Sequence, residues 1–287
     1  MACQDISVGV EVEFSGLSAR EAAQALSRAL GGVLHEEDAH AFALAGSRIG
    51  DLTIELDLRH VHPHRSAPGL KTMPAGWPAA LLGSLAKPVV PREAIFPPRP
   101  SNRLHEIDLA IAALREAGAR GDGVTAFDTL GLHFNIAARS LNIAAIRATT
   151  LAYARLDPLL RADIARGRTR LARRLASPYP DAYRLVLERA PPDQDVAEFI
   201  DDYLAHNPTR HRALDLLPLL LHLDGDRVRS RLPFEKIAPR PVYHWRLPVA
   251  HVGVAGWGLL EDWGRWLAVE AEARRILGEG ATAKPAA

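Results

Sequence analysis

Glu11 and Glu13 occupy the polar positions of a strictly alternating segment, Val8-Gly-Val-Glu-Val-Glu-Phe14. If this segment is a strand, Val8, Val10, Val12 and Phe14 take one face and the two glutamates take the other. Leu52-Thr-Ile-Glu-Leu-Asp-Leu58 repeats the pattern with Glu55 and Asp57, and Leu130-Gly-Leu-His-Phe-Asn-Ile136 repeats it with His133 and Asn135. Glu93 adds a carboxylate in the Pro-flanked segment Val89–Phe96. Glutamate is depleted in strands, so paired glutamates in short apolar strands call for a reason. Like charges two positions apart on a strand lie only ~7 Å apart and repel. Hard divalent cations or arginines would relieve that repulsion.

Arginines of that kind stand toward the C-terminus. Asn207-Pro-Thr-Arg-His-Arg212 supplies Arg210 and Arg212, and Arg240 and Arg246 flank the segment Pro-Val-Tyr-His-Trp between them. A guanidinium can neutralise a carboxylate or grip two phosphate oxygens. Spacing alone favours an ion pair for Arg210 and a functional role for Arg246, which shares a strand face with Val242 and His244. Two other patterns have plainer readings. His60, His62 and His64 alternate outside a strand and without a Cys partner, so they read as exposed. The arginines from Arg161 to Arg174 follow a helical period without interleaved aromatics and read as a solvated face. Trp257, Trp263 and Trp266 read as core or interface residues.

The elements that must carry these residues can be read around them. Ser18 and Glu21 make a capping-box pattern, and Gly31-Gly32 closes a helix whose stripe is Ala22, Ala25, Leu26, Ala29 and Leu30. Pro91 predicts that the Glu93 strand is an edge strand or carries a bulge. A short helix is expected near Ala79–Leu85, and a longer one over Asn102–Ala119. Beyond the His133 strand the chain turns helical. Helices are expected over Leu141–Gly167 with a kink or break at Asp157-Pro158, over Val196–Leu204, over Thr209–Leu223 with Pro208 in its first turn, and from about Leu259 to Leu277. Pro239–Pro248 reads as a strand. There is no βαβαβ rhythm and no Gly-rich phosphate loop, so the fold class is α+β, with helices packed on one side of the strands.

Composition is that of a globular protein: 287 residues, 48% hydrophobic and 24% charged. The formal net charge of +1 gives no field that points to nucleic acid. The single cysteine, Cys3, excludes an intramolecular disulfide framework. Leu214–Leu223 is too short to span a bilayer and contains Asp215 and His222. With a strand beginning by Val8, no signal peptide is expected, and the expectation is a soluble cytoplasmic protein with no nucleic-acid or membrane partner. One domain is expected over 1–280, with a mainly helical portion at 141–232 and a disordered tail at 281–287.

The chain resembles the amidoligases, a branch of the glutamine synthetase and glutamate–cysteine ligase superfamily of carboxylate–amine ligases. The resemblance rests on Gly9-Val-Glu-Val-Glu-Phe14, Glu55-Leu-Asp57, Glu93-Ala-Ile-Phe-Pro-Pro98 and Gly131-Leu-His-Phe-Asn135. It continues through Asn207-Pro-Thr-Arg-His-Arg-Ala-Leu-Asp215 and Arg240-Pro-Val-Tyr-His-Trp-Arg-Leu-Pro248. It implies a twisted antiparallel sheet with the active site on its concave face and helices on the other. It implies ATP with Mg²⁺ (or Mn²⁺) held by Glu11, Glu13, Glu93 and His133, and Asn135, Arg210, Arg212 and Arg240 near the nucleotide. Arg246, Glu55 and Asp57 are implied as catalytic, the last two through a metal-bound water or the amine. The implied substrates are a small-molecule or peptide carboxylate and an amine or ammonia, the latter from a glutaminase-type supplier if not free. A metal-dependent hydrolase on the same sheet face and a non-catalytic nucleotide-binding module are the competing readings.

Overall fold

The computed structural model describes residues 5–56, 91–121, 129–235 and 237–279. Asp57, the histidines at 60, 62 and 64, the expected helix at Ala79–Leu85 and the tail at 281–287 lie outside them. The fold is α+β, and its contacts divide it into two units, residues 1–132 with 249–259, and residues 133–248 with 260–287.

The first unit is built on five antiparallel strands: β1 (Ser7–Phe14), β2 (Val33–Asp38), β3 (Ala41–Ser47), β4 (Gly50–Leu56) and β5 (Arg92–Pro100), in the order β2-β3-β4-β5-β1. Helix α1 (Ala19–Leu30) follows β1, and a 3₁₀ turn at Ser101–Glu106 leads from β5 into α2 (Ile107–Glu116). The capping box at the start of α1 forms as expected. The Ser18 hydroxyl accepts from the Glu21 backbone N–H, the Glu21 carboxylate accepts from the Ser18 N–H, and Gly31 caps the other end at φ 73°. Register makes the alternation of β1 into rows. Phe42, Ile54, Ala94 and Val12 are neighbours across four strands, and all are at most 1% exposed. Burying a valine, isoleucine or phenylalanine side chain stabilises by about 1.5–3 kcal/mol. Gly16 lets the chain turn just past β1. Its φ is 89°, and a Cβ there would stand 2.8 Å from the Gly118 carbonyl oxygen, so no larger residue fits.

For β5 the expected alternative of an edge strand or a bulge resolves to a bulge, since β4 pairs with one side of it and β1 with the other. Its prolines are accommodated by a bulge. Val10 pairs with Phe96 and Val8 with Arg99, so Pro97 and Pro98 together face only Gly9. The strands β2 and β3 were not foreseen.

The second unit holds β6 (Leu132–Ala137, whose first residue belongs to the first unit), β7 (Leu214–Asp215) and β8 (Val242–Trp245), with β8 antiparallel to both others. Its helices are α3 (Ile143–Ala165), α4 (Thr169–Ala172), α5 (Asp181–Arg189), α6 (Val196–His206), α7 (Leu217–Leu223), α8 (Gly225–Arg231) and α9 (Leu260–Ile276). Its core is aromatic. Phe134 stacks on Trp245 at 5.6 Å, Trp245 meets Trp266 at 5.6 Å, and Tyr153, Tyr179, Tyr183 and Tyr203 meet edge-on, with burial holding all four phenols above their ordinary pKa.

Of the kink or break expected at Asp157-Pro158, the break does not occur, and α3 runs through it. The turn beside the proline is pinned by side chains. Buried Asp157 accepts from the Tyr153 hydroxyl at 2.9 Å and from Arg161 Nε at 2.5 Å, while Pro158 itself faces solvent. The helix expected over Thr209–Leu223 is also wrong in its first half. Asn207 ends α6, β7 follows, and helix returns only at Leu217, with Pro218 in its first turn.

Asp262 in α9 gives a testable pH dependence. It is 4% exposed, and burial pushes its carboxyl up to about 6 against the opposing pull of Arg265 at 2.5 Å. Between about pH 4 and 6 the folded protein therefore binds more protons than the unfolded chain, and this residue's contribution to stability falls as pH rises. Asp262→Asn removes the titrating group. The stability of the native protein relative to this variant should thus fall by up to about 3 kcal/mol from pH 4 to pH 6.5 in urea titrations. A difference independent of pH would contradict the raised pKa.

Candidate functional site

The first unit gathers carboxylates from three strands. Glu13 pairs in register with Glu93, and Glu93 pairs on its other side with Glu55. Directly opposed residues of antiparallel strands lie about 4.5–5.5 Å apart and point to the same face. Three glutamates therefore form one row across β1, β5 and β4, on the face opposite the apolar row through Val12 and Ala94. The Glu13 and Glu93 side chains bring carboxylate oxygens within 4.8 Å of each other. Glu11 stands one row along, opposite Ile95. Glu11, Glu55 and Glu93 are half-buried, and Glu13 is buried.

Glu13 is held on both sides of its residue. Its backbone N–H donates to the Gly131 carbonyl at 2.9 Å, and its Oε2 accepts from the Gly131 N–H at 2.8 Å. This second bond, to a donor some way along the chain, was not foreseen from sequence. The neighbouring Arg92 lies in the row of Phe14 and Leu56, on the opposite face from Glu93. Burial pulls its guanidinium below the ordinary value, and Glu21 of α1 opposes that shift.

The second unit gathers its own polar row. Asn135 of β6 pairs with His244 of β8, and His244 pairs with Asp215 of β7. All three are at most 8% exposed. His133, two residues before Asn135, meets His244 edge-on at 5.5 Å. Neither Asp215 nor His244 was singled out as a site residue from sequence. The signal for His244 was there, in the alternation of Val242, His244 and Arg246. Asp215 was hidden in the apolar run Leu214–Leu223, which reads as helix.

The arginines are distributed differently. Arg246 follows β8, is half-exposed, and donates its backbone N–H to the Ala213 carbonyl at 2.7 Å. Arg240 is exposed, with its N–H on the Pro218 carbonyl at 2.9 Å. Arg210 is half-buried. Arg212 uses its guanidinium on backbone, donating to the carbonyls of Pro178 at 2.8 Å and His206 at 3.1 Å, and so ties the 206–212 segment to residue 178.

The donor set of the first unit is oxygen-only and closely spaced, which is the chemistry that hard divalent cations select. Among the described residues no helix is long and apolar enough to cross a membrane. The family model described as "Putative amidoligase enzyme" matches residues 4–268. No curated protein and no solved structure matches the chain.

Proposed function

The chain belongs to the amidoligase family, and from that premise we propose that it is an ATP-dependent ligase joining a small-molecule or peptide carboxylate to an amine or ammonia. The observation that carries this reading is the row Glu13–Glu93–Glu55, with Glu11 beside it. In an amide-forming ligase the substrate carboxylate is a poor electrophile, because attack by an amine would expel oxide. Phosphorylation to an acyl phosphate gives it a good leaving group. That step collects negative charge that only cations can offset.

In this reading Glu11, Glu13 and Glu93 hold Mg²⁺ or Mn²⁺, with His133 as the further ligand expected from the family. When bound, the metal neutralises phosphate charge. The Gly131 N–H fixes one oxygen of Glu13 and so orients the carboxylate. Glu55, at the end of the row, orients the amine or accepts its proton. Asn135, Arg210, Arg212 and Arg240 serve the nucleotide, and Arg246 the transferring phosphoryl group. We read the α+β architecture as glutamine synthetase-like on the same grounds.

The test is a screen of amino acids and small peptides for amine-dependent ADP release, run beside calorimetry of ATP binding. ATP affinity is expected to fall at least tenfold when EDTA removes divalent metal, about 1.4 kcal/mol. Equal affinity with and without EDTA, together with no amine-dependent ADP release, would refute the reading.

A further inference from the structure

Among the described residues His133 and His244 are the only buried histidines, at 8% and 5% exposed. One ring nitrogen of each lies within 4.8 Å of the other. Behind His244 stands Asp215, 1% exposed, with Oδ2 at 3.7 Å from His244 Nδ1. We propose that His244 is a metal ligand alongside His133, that Asp215 orients it, and that this imidazole pair takes a first-row transition divalent cation such as Zn²⁺, Mn²⁺ or Co²⁺.

The support is the chemistry of the pair and the care with which it is positioned. A ligating histidine commonly turns its other ring nitrogen to a carboxylate, which fixes the tautomer and aims the ligating nitrogen. Asp215 stands where that carboxylate is needed, since Nδ1 facing it leaves Nε2 directed away. The 3.7 Å separation exceeds a hydrogen bond, and closing it takes a shift of under about 1 Å.

Asp215 is itself held from several sides. Its Oδ1 accepts from the Leu217 N–H at 2.9 Å. The Tyr179 hydroxyl donates to the Leu214 carbonyl at 2.6 Å, and the Tyr203 hydroxyl accepts from the Leu216 N–H at 3.2 Å. Buried phenols thus grip the chain on both flanks of Asp215. An imidazole pair suits borderline cations, whereas Mg²⁺ favours oxygen donors and retained water. One ion bonded at about 2.0–2.1 Å to both rings needs the two nitrogens within about 4 Å, which small rotations of the side chains provide. The inference shares His133 with the ligase reading and is tested apart from it, because metal binding is measured without nucleotide or turnover.

The experiment is titration of the metal-free protein with Co²⁺, followed by calorimetry and by proton NMR of the exchangeable imidazole N–H signals that a paramagnetic ion shifts. The native protein is expected to show two such signals. His244→Ala should lose one signal and bind Co²⁺ at least tenfold more weakly. Asp215→Asn should keep both signals and bind 10- to 100-fold more weakly. His244→Gln, which keeps bulk and polarity, replaces the alanine variant if that one does not fold. Unchanged Co²⁺ affinity in a folded His244 variant would overturn the ligand assignment, and unchanged affinity in Asp215→Asn would overturn the orienting role. A protein that releases ADP on cue yet shows no shifted imidazole signal would refute this inference alone and leave the ligase reading standing.

Discussion

Arg246→Lys is expected to keep the fold and bind ATP within about tenfold of the native protein, yet to lose on the order of a hundredfold in turnover. The backbone of Arg246 is fixed by its N–H on the Ala213 carbonyl, which a lysine retains. Its neighbours Trp245 and Leu247 are fully buried, so the strand end that carries it is rigid, while Arg246 itself remains half-exposed. A guanidinium grips two oxygens in a fixed plane, and an ammonium acts as a point charge. Interactions that strengthen as charge develops act on turnover more than on ground-state binding. Circular-dichroism melts, nucleotide titration and a coupled ADP assay on this one variant decide the matter. A lowered melting temperature with parallel losses in binding and turnover would make Arg246 a structural ion-pair partner. Near-normal turnover would remove it from the site.

Glu13 separates charge from architecture. Its proximity to Glu93 carries a repulsion of about 1 kcal/mol in water-like surroundings and about 3–4 kcal/mol at a protein-like effective dielectric of about 20. Its bond from the Gly131 N–H works in the other direction. Glu13→Gln removes the charge and keeps an acceptor for Gly131. Its metal-free melting temperature is expected to be unchanged or raised, and its metal-induced shift to be largely lost. Glu13→Ala also removes the charge but leaves a buried N–H without its partner, so the metal-free protein should lose about 1–3 kcal/mol. Thermal melts of both variants with and without Mn²⁺ check this. A glutamine variant that is destabilised yet keeps its metal response would show that the Glu13 charge serves the fold.

Where the sequence was readable, short-range rules decided the structure. Ser18 and Glu21 cap α1 because the capping box is a local contact, and the alternation Val8–Phe14 becomes β1 because one face has to be buried. Where it misled or left alternatives open, contacts beyond the local rule decided. Pro91 leaves β5 as an edge strand or a bulged one, and only pairing with segments distant in sequence decides for the bulge, which lies opposite Gly9. Pro158 argues for a kink or break, and the break is avoided where Asp157, Tyr153 and Arg161 lock the adjoining turn. Asn207-Pro208 imitates a helix start, and the chain uses it as a helix stop. The hairpin of β2 and β3 escaped notice because Val33–Asp38 is largely exposed and polar, and Ala41–Ser47 is rich in small residues. In the candidate site, the carboxylates were legible as strand-polar positions. That Glu13, Glu93 and Glu55 share one row was not, because register is set by pairing between distant segments. The part played by Gly131 was invisible for the same reason.

That row has a kinetic side. Glu13 and Glu93 become neighbours only after roughly 80 residues of intervening chain are closed into a loop, and pairings of such separation form slowly because their entropy is lost before their contacts are gained. The hairpins of β2 with β3 and β3 with β4 span only short stretches and can form early. The pairing of β5 with β4 brings Glu93 beside Glu55, and that of β1 with β5 brings Glu13 beside Glu93. Repulsion within the row is therefore absent from the early hairpins and builds as these longer-range pairings close. Divalent metal should then leave the early hairpins untouched and act late, slowing the unfolding of the β1–β5 pair more than it speeds the first events of folding.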